Sequence, residues 1–144
     1  MKVKSPLAAF SLGLWVANAP VAAHTFTFTL GPAAGATDYY GVICSTDSGA
    51  STDHLLLQIR SDTPNGPLVS AQVRKGAIAT NTTDPVSGDA EYSPASQTRG
   101  GDGLYDVTIN KTGPGAVVYT VVVHCLDASG TIHTGTDGVV YQDQ

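Results

Sequence analysis

Among the residues of this 144-residue chain, the four histidines are the best suited to chemistry. His24 stands directly after Val21-Ala22-Ala23. A chain beginning at His24 would offer one metal ion both its α-amino nitrogen and its imidazole. A second imidazole, from His54, His124 or His133, completes a three-nitrogen set, and such ligands suit copper(II). His124 alternates out from the face of Cys125 and is expected at the surface, and His133 lies in the C-terminal tail, so His24, His124 and His133 form the candidate metal set. Softer ligands for copper(I) are lacking, because the only Met is Met1 and both cysteines are expected to be paired.

The carboxylates offer a second chemistry. Asp47 and Asp53 share one loop, Asp84, Asp89 and Glu91 another, and Asp102 and Asp106 lie at and just after a Gly-rich turn. Oxygen ligands of this kind can hold calcium, although none follows the alternating Asp-x-Asp-x-Asp-Gly spacing, so calcium ranks behind copper. Hydrolase chemistry has less support: the chain contains neither a Gly-x-Ser-x-Gly elbow nor a His-Glu-x-x-His pair.

These residues must be positioned by a chain that begins with Lys2 and Lys4, runs apolar over residues 7–16 and reaches the small residues Val21-Ala22-Ala23. That order is expected of a secretory signal peptide over residues 1–23, and its apolar run is too short to span a membrane. Cleavage after Ala23 leaves a single domain, residues 24–144, of 121 residues (144 minus 23), and removes the only Trp. Loss of Lys2 and Lys4 takes the formal charge from −5 to −7, which argues against nucleic acid and against anionic membrane surfaces as partners. Two cysteines in an exported chain predict one disulfide, Cys44–Cys125.

The elements read as strands throughout. HTFTFTL (24–30) alternates Phe and Leu against Thr; 38–45, 54–61 and 68–75 alternate likewise, and residues 76–80 are expected to extend the last of these past a bulge at Gly76. Residues 81–102 lose the pattern in a series of turn formers, with one short strand expected near 90–92 or 97–98. LYDVTINKTGPGAVVYTVVVHC (104–125) reads as two strands joined by a Gly-Pro-Gly turn, which predicts an antiparallel hairpin. The tail is expected to add a short pair, 131–133 with 138–142. Seven to nine short strands with a disulfide between two inner faces predict an all-β antiparallel sandwich of jelly-roll or immunoglobulin-like type.

Asp38-Tyr39-Tyr40 opening an early strand, Gly103-Leu-Tyr105-Asp-Val107 opening a late one, and Tyr119-Thr-Val-Val after it resemble bacterial pre-peptidase C-terminal domains over roughly residues 38–123. The resemblance implies a small secreted β-sandwich. It implies no site residue, and the tail 126–144 has no counterpart in that family. The His24 start itself resembles the three-nitrogen brace of copper-dependent secreted enzymes and copper carriers.

Two functions are consistent with these readings. The first is a secreted or periplasmic, non-enzymatic sandwich acting through its surface, possible at the cell surface, as an adhesive, filament-forming or accessory protein with a protein or glycan ligand; its means of self-association would be the strand 24–30 added to a neighbour's sheet edge. The second is a copper-binding protein using the His24 amine and imidazole, in storage or delivery, since the mature chain lacks Trp for an aromatic substrate face.

Overall fold

The computed structural model describes residues 24–144; the expected leader, residues 1–23, lies outside them. Nine strands form two antiparallel sheets, and there is no helix among the described residues. The strands are β1 (His24–Leu30), β2 (Asp38–Ser45), β3 (His54–Ser61), β4 (Val69–Lys75), β5 (Ile78–Thr83), β6 (Ser96–Thr98), β7 (Gly103–Lys111), β8 (Val117–Leu126) and β9 (Gly135–Gln142). One sheet has the order β1-β8-β3-β6 and the other β5-β4-β7-β2-β9. This is the expected all-β sandwich, and Cys44 on β2 joins Cys125 on β8 across the two sheets with a Cα–Cα distance of 5.5 Å.

Alternation decides which side chains fill the space between the sheets. Leu55, Leu57 and Ile59 of β3 and Tyr119, Val121, Val123 and Cys125 of β8 face Tyr40, Val42 and Cys44 of β2 and Tyr105, Val107 and Ile109 of β7. Val69, Ala71 and Val73 of β4 complete this core.

The strand sequence 104–125 is not a hairpin. β7 pairs with β2 and β4, whereas β8 pairs with β1 and β3 in the opposite sheet. Seven of the eight connections cross between sheets; only β4–β5 is a hairpin within one sheet. Both β7 and β8 carry strong apolar faces, and pairing them side by side would leave one sheet without its central strand. The 112–116 connection is shaped for the crossing: Gly115 takes φ +111°, its amide donates to the Pro32 carbonyl at 2.9 Å, and the Lys111 ammonium donates to the carbonyls of Gly31 and Gly115.

Two other expectations change. Gly76 is not a bulge within one long strand: its φ of +58° turns β4 back into β5. The tail does not pair with itself, because β9 pairs with β2 and only His133 makes a bridge, to Leu126. Of the two places considered for a short strand in 81–102, the second is occupied, by β6. No helix among the described residues is long and apolar enough to cross a membrane.

Candidate functional site

His124 owes its place to the alternation of β8. Val123 and Cys125 point into the core, so His124 points to the outer face of its sheet, where it is half-buried. His133 is brought to the same face by the turn after β8. The Gly130 amide donates to the Asp127 carbonyl at 3.0 Å with Gly130 at φ +71°, the Asp127 amide donates to the Ile132 carbonyl at 3.0 Å, and the Thr134 amide donates to the Cys125 carbonyl at 2.9 Å. The chain thus returns alongside β8 with His133 bridged to Leu126.

The two imidazoles meet with Nδ1 to Nδ1 at 3.2 Å, ring centroids 4.6 Å apart and planes at 83°. Desolvation lowers the pKa of His124, and the nearby charges of His133 and His24 lower it further. At this distance one Nδ1–H can donate to the other Nδ1. With both protons on Nε2, the 3.2 Å separation is also compatible with two ligands of one metal ion: at metal–nitrogen bonds of about 2.0–2.1 Å and tetragonal or tetrahedral angles, neighbouring ligand nitrogens lie about 3 Å apart.

Neither of the other histidines joins this pair as a third converging ligand. His24 pairs with Val123 and so directs its side chain toward the inter-sheet space, while the N-terminal side of the residue lies in register beside His124. Beyond Val123 the edge of β8 carries the Leu126–His133 bridge and accepts the Thr134 amide at Cys125. His54 is buried, and its Nδ1 lies 2.8 Å from the Asp53 carboxylate, which also pairs with Arg99. Among the described residues no three His, Cys, Asp or Glu side chains converge on one metal position.

Three of the acidic residues considered for calcium accept hydrogen bonds within the fold. Asp84 is buried and accepts the Ser61 amide at 2.7 Å and the Val86 amide at 3.2 Å. Asp102 accepts the Thr46 hydroxyl at 2.6 Å and the Thr52 amide at 3.0 Å, and the hydrogen bonds from these two residues lower its pKa. Asp106 accepts the Tyr39 hydroxyl at 2.6 Å, which holds its carboxyl below the usual range.

Two features escaped the sequence reading. One is a cleft of about 300 Å³ between the edge strands β1 and β9, lined by Phe26, Phe28, Tyr40, Val121 and Val140 with His24 at one end. The other lies where Tyr40 enters that cleft. The buried Asp38 carboxylate accepts the Tyr119 hydroxyl at 2.6 Å, the Tyr40 hydroxyl at 2.9 Å and the Gln144 amide at 2.8 Å. Burial raises the pKa of both phenols, so they act as hydrogen-bond donors and not as tyrosinates. Asp38-Tyr39-Tyr40 was visible in the sequence, but its link to Tyr119, 79 residues from Tyr40, carried no local signal.

No protein-family model, no curated protein and no solved structure matches this chain.

Proposed function

We propose that this chain is an exported, non-enzymatic β-sandwich that binds one transition-metal ion of the copper(II) type through His124 and His133, for storage or delivery. The observation that carries the reading is the 3.2 Å approach of the two Nδ1 atoms, from residues nine apart on a strand and a returning turn. The remaining positions of the ion fall to water and, in a chain cut after Ala23, to the α-amino nitrogen of His24. Nitrogen ligands without thiolate or thioether favour copper(II) or zinc(II) over copper(I). Calorimetric titration of mature residues 24–144 with copper(II) tests the reading. One equivalent should bind, and His133→Ala and His124→Ala should each weaken it at least tenfold. Unchanged affinity in both variants refutes the assignment, and acetylation of the N-terminal amine reports whether His24 contributes.

A second reading rests on β1. It is an edge strand of sequence HTFTFTL with no charge other than its histidine, no proline and no bulge, and Phe26 on it is 39% exposed. Such an edge is an open template for strand addition, as a filament-forming or adhesive subunit would use. A protein that stays monomeric at high concentration, with no change on deletion of residues 24–30, rules this out. Kinship with pre-peptidase C-terminal domains remains part of the proposal at the level of the sandwich alone.

A further inference from the structure

β9 is the least anchored strand. None of its eight residues is buried, it pairs only with β2, and that register slips between Tyr39 and Tyr40. Its C-terminal end is fastened by Gln144, whose amide donates to Asp38 and whose carbonyl accepts the Gly31 amide at 2.5 Å. Its N-terminal end is fastened by the segment that contains His133. There the Thr134 amide reaches the Cys125 carbonyl, the Thr52 and Thr134 hydroxyls lie 2.6 Å apart, and the Cys125 amide donates to the Thr136 hydroxyl at 3.2 Å. Thr136, Gly138 and Val140 of β9 then form one wall of the apolar cleft, and Phe26 and Phe28 of β1 form the other.

We infer that metal binding at His124 and His133 is coupled to the seating of β9, so that the ion governs how far the cleft between β1 and β9 stands open. The inference rests on the metal reading above. An ion held by both imidazoles cross-links β8 of one sheet to the lead-in of the edge strand of the other. Detaching that lead-in separates the ligands, so the ion binds the seated state and not the detached one. Ligand linkage then suppresses detachment by the factor 1 + [M]/Kd, about 100-fold at a free metal concentration of 100 Kd.

Hydrogen exchange on residues 24–144, with and without copper(II) at 100 times the calorimetric Kd, tests the coupling. The β9 amides bonded to β2 should slow by up to about 100-fold, while amides of the β5 edge that exchange by local fraying, remote from the site, remain unchanged. An apolar dye that fluoresces in exposed clefts should lose signal over the same titration. His133→Ala should abolish both responses, and His124→Ala, which removes the ligand on β8 and leaves the backbone bonds of the β9 lead-in in place, should do the same. Calorimetric binding with unchanged β9 exchange, or with equal slowing at the locally fraying β5 edge, overturns the coupling and leaves the metal reading standing. Absence of calorimetric binding overturns the metal reading, and the coupling with it.

Discussion

The centre of the sandwich and its β1/β9 side are built on the same alternation but retain it to different degrees. In β3, β7 and β8 every second residue is sealed between the sheets: Leu55, Leu57, Ile59, Tyr105, Ile109 and Tyr119 are at 0% exposure, and a disulfide ties β8 to β2. In β9 the residues that share the inner face are Thr136, Gly138 and Val140, and Val140 is still 52% exposed. Thr136 and Gly138 offer too little apolar surface to draw β1 down onto them, so the two edges stay parted and the cleft remains. Stability therefore belongs to the centre, while the histidine pair, the cleft and the unguarded edge all lie on the side that contributes least to it. Binding and moving parts of proteins are commonly drawn from such low-stability regions.

Several substitutions would break or sharpen this contrast. The largest loss should follow removal of the disulfide. Its 81-residue separation stabilises the fold by about 4 kcal/mol in the loop-entropy model, so the Cys44→Ser/Cys125→Ser double variant should show a much lower urea midpoint. Leu57→Ala should cost about 3 kcal/mol in the same measurement, because the side chain is fully buried between close-packed neighbours. Tyr119→Phe should cost about 1–3 kcal/mol by leaving the buried Asp38 carboxylate short of a donor. Val140→Ala on β9 should cost less than about 1 kcal/mol, since half of that side chain already meets water. A Val140→Ala loss as large as that of Leu57→Ala would remove the distinction between centre and edge.

The smallest effect is one of pH. Asp102 and Asp106 have pKa values lowered in the fold, through hydrogen bonds from Thr46 and Thr52 and from Tyr39 respectively. A carboxylate with a depressed folded pKa contributes stability that is present above its unfolded pKa, about 4, and is lost as pH falls through the lower folded value. Thermal melts should therefore show a modest decline below pH 4, and Asp102→Asn should reduce it. A decline of equal size in that variant assigns it to other groups.

Much of the sandwich was legible because burial imposes period two. Phe26, Phe28 and Leu30, or Leu55, Leu57 and Ile59, mark an inner face before any coordinates are known. The facing of Cys44 and Cys125 was legible for the same reason. Sheet membership was not. The Thr112-Gly-Pro-Gly sequence satisfies a turn within a sheet and a crossing between sheets equally well, and only the demand of both sheets for a central strand decides between them. β9 was half-visible, since GTDGVVYQ mixes turn formers with a short apolar run and its pairing partner lies nearly 100 residues earlier. The histidines could be named from the sequence, but the meeting of His124 and His133 depends on the return of the 127–134 turn along β8, a matter of backbone geometry with no periodic signal. His24 shows the converse: its strand was evident, and its register sends its side chain away from the other two.

The central claim is that His124 and His133 act together as ligands, and pulsed electron paramagnetic resonance of the copper(II)-loaded mature protein tests it most directly. The account predicts modulation from two coordinated imidazoles, falling to one fewer in His124→Ala and again to one fewer in His133→Ala. An identical pattern in the wild type and both variants would contradict it.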